Sequence, residues 1–247
     1  MALIILRSWL FDGLLLAWTA LFALGIPVLW VAGSPRRPIR AITRLWVRGV
    51  LALLKTVVGL TYTEQGRAVM PKAPCLIIAN HQSVWETLAF VLLFPDVAII
   101  AKQELLKVPV VSWYLARSPM IVIDREAGSS TLKLMLKQAQ DALADGRCVL
   151  IFPEGTRKLP DAPIEFRRGI ELLYARLKVP VLLVVVNSGK FWSAHQPYKR
   201  PGSITVSYLP LIQPGLSPAE FIQSAQTQIG AERDITSGTG GNGDVAT

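Results

Sequence analysis

The longest apolar stretch of the chain comes early. From Gly13 to Gly33 the sequence GLLLAWTALFALGIPVLWVAG holds 21 residues without a charge. At about 1.5 Å per residue such a run reaches roughly 31 Å, enough to cross the hydrocarbon core of a bilayer. Gly25 and Pro27 interrupt it, so the pattern fits a kinked crossing helix or a re-entrant hairpin. The run is long for a cleaved signal peptide. The next segment changes character. Between Arg36 and Lys55 there are six basic residues and no acidic one. On a helix, Arg36, Arg37, Arg40, Arg44, Arg48 and Lys55 fall within an arc of about 120°. Ile39, Ile42, Leu45, Trp46, Val50 and Leu53 take the other side, with Val47, Leu51 and Leu54 intruding on the basic stripe. That is the pattern of a cationic amphipathic helix lying among lipid headgroups. The other reading is a solvated helix packed on a globular domain.

Beyond residue 58 short β-rich runs alternate with helical ones. CLIIAN (75–80), VAIIA (97–101), MIVID (120–124), CVLIF (148–152), VPVLLVVVN (179–187) and SITVSYL (203–209) read as strands. Helices are predicted after Ser83, Glu104, Ser130, Arg168 and Ser217, the last opened by Ser-Pro-Ala-Glu with a cap and a first-turn proline. Alternation of this kind predicts an α/β domain with a mostly buried mixed sheet flanked by helices. The expected organisation is a membrane-anchoring segment over 1–57, an α/β domain over 58–235 and a glycine-rich tail over 236–247 too polar to pack.

Composition adds to this picture. The chain of 247 residues is 51% hydrophobic, with mean hydropathy +0.41 and a formal charge of +9. Basic and apolar character together point to an anionic membrane surface rather than to nucleic acid. The positive flank of the apolar run places that side on the cytoplasmic face. Two cysteines, Cys75 and Cys148, lie in strand-like runs without a C-x-x-C pair, as expected of buried thiols in a reducing compartment.

Chemistry in open α/β sheets gathers beyond the carboxyl ends of strands. Three stretches stand there: NHQSVWE after the first of these strands, DRE after MIVI, and PEGTRK after CVLIF. His81 and Glu86 are five apart, about 140° from each other on a regular helix, so they meet only if His81 lies in the turn before it. An orienting acid beside a histidine base is one reading. A capping box over Ser83-Val84-Trp85-Glu86 is the other, and spacing alone leaves both open. The cations around them favour the first. Lys102, Arg125, Arg157, Lys158, Arg167 and Arg168 all follow strands, and arginine forks suit phosphate oxygens. There is no G-x-S-x-G elbow, no P-loop and no metal-ligand cluster. His195 sits in a polar loop and reads as a surface residue. A histidine base without a protein nucleophile implies that a substrate hydroxyl attacks.

NHQSVWE, AKQELLKVPVVSW, MIVIDR, FPEGTR and VPVLLVVVNSG occur in order over Cys75 to Gly189 and resemble the four signature blocks of the glycerolipid acyltransferases. The resemblance implies acyl transfer from a thioester of coenzyme A or acyl carrier protein to the free hydroxyl of lysophosphatidate, giving phosphatidate, with no metal or other cofactor. His81 would be the base and Glu86 its orienting acid. Glu154, Gly155, Thr156, Arg157 and Arg167 would bind the acceptor, and Lys102 and Arg125 would contact its phosphate. The family's usual aspartate is Glu86 here, its second-block glycines are replaced by Ser112 and Pro119, and Leu183 stands for a second proline in the fourth block. Three rivals remain: a related acyltransferase acting on lyso-ornithine lipid, a thioesterase using water, and a non-catalytic lipid binder in which Glu86 only caps.

Overall fold

The computed structural model describes residues 1–103, 107, 110–118, 120–123 and 128–238. Seven strands form one sheet: β1 (Leu60–Gln65), β2 (Leu76–Ala79), β3 (Ala98–Lys102), β4 (Ile121–Ile123), β5 (Val149–Ile151), β6 (Val181–Val186) and β7 (Gly202–Tyr208), in the order β1-β7-β6-β2-β5-β3-β4. Every neighbouring pair is parallel except β6 with β7. Strands β6, β2, β5, β3 and β4 therefore point the same way, and the loops leaving their carboxyl ends lie side by side. All residues of β2, β5 and β6 are buried, as their unbroken apolar runs require. Strand β1 escaped the pattern reading because it is an edge strand, buried only at Leu60 and exposed from Thr63 onward.

Helices cover both faces. Ile77, Ala79, Leu150, Leu182 and Val184 pack towards Phe11 of α1 (Ala2–Ala23), Val50 of α3 (Arg36–Leu53) and Phe90 of α4 (Trp85–Leu93). Leu76, Ile78, Val149, Leu183 and Val185 pack on the other side, towards Ala139 of α6 (Gly128–Ala144), Leu173 of α7 (Gly169–Leu177) and Phe221 of α8 (Pro218–Ser237). The expected capping box opens α8, with Ser217 and Glu220 bonded reciprocally. Helix α8 runs through Thr236, so the predicted start of the tail falls inside a helix. Cys75 and Cys148 are free, their sulfurs 3.5 Å apart across neighbouring strands.

The N-terminal helices carry a different surface. The apolar stretch extends over Ala2–Val31, 30 residues long and 6% buried in its most apolar window, whose mean hydropathy is 2.2. It breaks at Leu24–Gly25, and α2 (Ile26–Val31) follows. Pro27 offers no N–H to the carbonyl of Ala23, which is the local reason for the break. Helix α1 lies against α3: the Trp18 indole N–H donates to the Trp46 carbonyl at 3.0 Å, and the Trp46 indole donates to Thr19 Oγ1 at 3.2 Å. The helices approach closely because position 49 is glycine; a β-carbon there would stand 2.4 Å from the Trp18 ring.

Helix α3 is amphipathic, but its stripe divides differently from the expectation. Ile39, Val47 and Val50 are buried, whereas Leu45 is 53% exposed. Val47, read as intruding on the basic face, packs inward because α3 is wedged between α1 and α4. Arg40 and Arg44 turn towards the domain and both meet Asp96 Oδ1. The boundary expected at residue 57 does not divide the packing, since Phe11, Val50, Leu54 and Val58 belong to the same apolar cluster as the sheet.

Candidate active site

The carboxyl end of β2 leads directly into the site. Asn80, fully buried, continues the sheet with its side chain: Nδ2 donates to the Val186 carbonyl at 2.9 Å and Oδ1 accepts the Val186 amide at 2.8 Å. That clamp holds the turn bearing His81 against the end of β6. His81 lies before α4 and Glu86 in its first turn, so the helical angle between them does not apply. His81 Nδ1 is 2.9 Å from Glu86 Oε1.

Glu86 is fully buried and collects donors from every side. Its Oε1 also accepts the amides of Gln82 at 2.7 Å and Ser83 at 2.6 Å, and Oε2 accepts the Ser188 hydroxyl at 2.7 Å. A buried carboxylate is tolerable only with partners of this number. Since Oε1 is an acceptor of two amides, the proton between it and the imidazole belongs on Nδ1. Nε2 is left with its lone pair. One half of the expected capping box is therefore present. Ser83 Oγ does not complete the other half; it accepts the Trp85 amide at 3.1 Å.

The segment after β5 holds His81 from the opposite side. The Phe152 ring stacks on the imidazole, centroids 4.1 Å apart and planes 17° from parallel. Glu154 Oε2 accepts the His81 amide at 2.7 Å, and the His81 carbonyl accepts the Lys158 amide at 2.8 Å. Glu154 is 2% exposed, and its carboxyl is pushed up to about 8, chiefly by burial, with Glu86 adding to the shift and the His81 amide opposing it. Gly155 turns the chain with φ +73°, a conformation that favours glycine.

A cavity of about 310 Å³ opens over His81, lined by Lys102, Gly155, Thr156, Arg157 and His195 among others. It brings together most of the residues expected from the sequence. Glu154 lies beneath it rather than on its wall, and Arg167 stands outside it, bonding the Pro153 carbonyl through its amide and the Glu154 carbonyl through Nε. Arg125 lies outside the described residues. His195 is exposed, as expected, and also stands at the rim of this cavity.

A second cavity of about 290 Å³ begins where the first ends, sharing Thr87 and Arg157. Its walls are apolar, with Leu15, Phe22, Trp46, Leu88 and Val91 supplied by α1, α3 and α4. Arg157 Nε is buried without a hydrogen-bond partner among the described residues. A guanidinium at the junction of a polar pocket and an apolar channel suits a ligand with an anionic head and a hydrocarbon tail.

Asn80, Gln82, Phe152 and Ser188 were not singled out in the sequence as parts of the site. Gln82 Oε1 accepts the Gly189 amide at 3.1 Å, which ties the His81 turn to the loop after β6. The sequence signal for Asn80 and Gln82 was their position on either side of His81. Ser188 stands in the VPVLLVVVNSG stretch, but at 102 residues from Glu86 no spacing linked the two.

A family model described as Acyltransferase matches residues 56–187. The 1-acyl-sn-glycerol-3-phosphate acyltransferase of Pseudomonas aeruginosa is 37% identical over 177 residues, covering 70% of this chain and 69% of that one. Human 1-acyl-sn-glycerol-3-phosphate acyltransferase alpha is 27% identical over 232 residues, 91% of this chain and 80% of that protein. The crystal structure of PlsC, the 1-acyl-sn-glycerophosphate (LPA) acyltransferase of Thermotoga maritima, shares the fold with TM-score 0.74 at 20% identity, covering 98% of both chains. The chain belongs to the acyltransferase family.

Proposed function

We propose that this protein transfers an acyl group from an acyl-CoA or acyl carrier protein thioester to the free hydroxyl of lysophosphatidate, giving phosphatidate. The observation that carries this reading is the continuity of the site: His81 with its buried acid faces a cationic pocket that runs on through Arg157 into an apolar channel. The names of the relatives agree with it.

In this mechanism His81 Nε2 takes the proton of the acceptor hydroxyl as its oxygen attacks the thioester carbonyl. Glu86, hydrogen-bonded to Nδ1, stabilises the imidazolium that forms. Collapse of the tetrahedral intermediate breaks the carbon–sulfur bond, and the proton passes from Nε2 to the departing thiolate. A thioester is already electrophilic, so alignment and deprotonation are the main demands. Lys102 and Arg157 are the groups we assign to the acceptor phosphate, with Gly155 and Thr156 beside them. The apolar channel is assigned to an acyl chain. Glu154 and Arg167 act by holding the His81 turn and the Glu154 loop.

We place the reaction at the cytoplasmic face of the inner membrane. The support is the little-buried apolar stretch Ala2–Val31, followed by the cluster of arginines at the start of α3.

The test is an acyl-transfer assay with labelled acyl-CoA and acyl carrier protein against three acceptors: lysophosphatidate, phosphate-free monoacylglycerol and lyso-ornithine lipid. Transfer to lysophosphatidate, lost in His81→Ala, is the expected result. Transfer to lyso-ornithine lipid alone, or thioester hydrolysis without transfer, would overturn the assignment.

A further inference from the structure

A second cationic site lies at the opposite end of the strands from His81. Arg36 and Arg40 come from the start of α3, and Arg117 from the turn after α5 (Val111–Leu115). Arg147 comes from the turn between α6 and β5. Together they line a cleft of about 440 Å³, with Asp96 and Asp145 as its only carboxylates among the described residues: four positive charges against two negative. Arg44 stands immediately beside it. Residues 96 and 147 precede β3 and β5, whereas His81 and Glu154 follow β2 and β5, so the two sites sit at opposite strand ends.

Among the described residues, the pairing inside the cleft leaves Arg36 and Arg117 without a carboxylate partner. Asp96 accounts for several groups at once: Oδ1 accepts Arg40 Nη1 at 3.3 Å and Arg44 Nη2 at 3.1 Å, and its carbonyl accepts Arg147 Nε at 3.1 Å. These contacts hold the loop before β3 against α3. They do not account for the rest. Arg40 Nε is buried with no hydrogen-bond partner among the described residues. Arg117 Cζ lies over the Trp113 ring, 4.2 Å from its centroid, and Nη1 donates to the Trp113 carbonyl, which fixes the guanidinium without neutralising it. Among the described residues, neither Arg36 nor Arg117 is ion-paired with a carboxylate. Burial, and then the nearby charge of Arg40, hold the Arg147 guanidinium below its ordinary value, with Asp145 and Asp96 pulling the other way. Arginines gathered from three separate segments at this local excess of charge are stabilised by an anion between them.

The surroundings say which kind of anion. Helix α2, which precedes Arg36, exposes Val28, Trp30 and Val31 by 66–78%. Between the cleft and the apolar channel lies a small cavity of about 30 Å³ that shares Arg40, Asp96 and Ser118 with the cleft and Val91, Ser118 and Met120 with the channel. A ligand with a phosphate head and a hydrocarbon body fits both features. We propose that the cleft formed by Arg36, Arg40, Arg117 and Arg147 is a second phosphate-binding site, remote from His81, that takes the headgroup phosphate of an anionic membrane phospholipid. The charge and geometry of this cleft are independent of His81, so the site stands whether or not the acceptor assignment there holds.

The experiment is calorimetric binding to the full chain in detergent. The probes are dihexanoyl-phosphatidylglycerol, dihexanoyl-phosphatidylcholine and inorganic phosphate, with the parent, Arg36→Gln, Arg36→Gln/Arg117→Gln and Arg157→Ala compared. Removing a charge-assisted phosphate contact costs about ten-fold in affinity. The expected result is saturable binding of phosphatidylglycerol over phosphatidylcholine, weakened about ten-fold in Arg36→Gln, further in the double variant, and still saturable and dependent on Arg36 in Arg157→Ala. Inorganic phosphate binding more tightly than the lipid, with the same dependence on Arg36 and Arg117, would make the site one for free phosphate and overturn the lipid assignment. Binding that survives both arginine substitutions, or that is lost in Arg157→Ala, would place the anion elsewhere and overturn the site. Arg36 is exposed and not ion-paired among the described residues, so its single substitution reads the site even if the double variant is unstable.

Discussion

Glu86 Oε1 lies 2.9 Å from His81 Nδ1, and the same oxygen accepts the amides of Gln82 and Ser83. Orienting the histidine and capping the turn are therefore not alternatives; one atom does both. The two roles separate by charge. Glutamine at this position keeps an acceptor for the amides but cannot offset the imidazolium. Glu86→Gln is expected to lower kcat by about two orders of magnitude or more. Its loss of stability should stay near 1 kcal/mol, the scale of a helix cap. Glu86→Asp should fall between parent and Gln, because it restores charge and shortens the reach to Ser188 as well as His81. Paired kcat and thermal-melting measurements check this; a Gln variant as active as the parent would reduce Glu86 to a cap.

Much of this geometry was present in the sequence, and the remainder was absent for definite physical reasons. Strands β2, β5 and β6 could be read because every residue in them is buried, which leaves an unbroken apolar run. Strand β1 could not, being half-exposed at the sheet edge. The grouping of His81, Glu154 and Arg157 followed from strand ends alone, since parallel neighbours deliver their loops to one side. What spacing could not show was division of labour. Glu154 shares its stretch with Gly155 and Arg157, yet its side chain turns under His81 while those two residues line the cavity. The apolar channel was invisible for a related reason: its walls come from α1, α3, α4 and the segment around Tyr114, and no local pattern records such a meeting.

Glu154 therefore offers a test that distinguishes holding the base from binding the acceptor. Glutamine can still accept the His81 amide, so Glu154→Gln should retain kcat within a few-fold. Glu154→Ala should lose at least about ten-fold in kcat with the acceptor KM little changed. A rise in acceptor KM at constant kcat, in either variant, would return Glu154 to the acceptor.

The same carboxyl predicts a pH signature. Its folded value, about 8, lies above its ordinary 4.5. Below the lower value both folded and unfolded chains carry the proton. Between the two values the folded chain alone keeps it, so stability falls as pH rises across that window and levels off above it. Glu154→Gln cannot titrate. Its melting temperature should depend less on pH between 5 and 8, and should gain on the parent towards the upper end. Parallel slopes for the two proteins would refute the assignment.

Arg157 sits where the cationic pocket meets the apolar channel. Arg157→Ala should raise the acceptor KM by about ten-fold or more, with a smaller effect on the donor. Because the guanidinium also walls the channel, the variant should discriminate less sharply among acyl chain lengths. Steady-state kinetics with varied acceptor and a series of thioesters would measure both. An effect confined to the donor would exclude a phosphate contact.

Removing residues 1–57 would not be a clean test of membrane attachment, because Phe11, Val50 and Leu54 are part of the main core. Substitutions on the outward face of α1 and at the turn that follows it avoid this difficulty. Leu6, Leu16 and Leu24 are 63%, 72% and 74% exposed, and none belongs to the main apolar cluster. Replacing Leu16 and Leu24 with Asp puts two charges on a surface assigned to hydrocarbon. Each costs about 2.5–3.5 kcal/mol near the centre of a membrane helix, against well under 1 kcal/mol at a solvated surface. The double variant should shift from the membrane to the soluble fraction, with its melting temperature in detergent almost unchanged. Activity on lysophosphatidate in vesicles should fall, and activity on the same acceptor in mixed micelles should persist. If the variant remains membrane-bound after a high-salt wash, α1 is not the anchor, and attachment must come from the cationic face of α3.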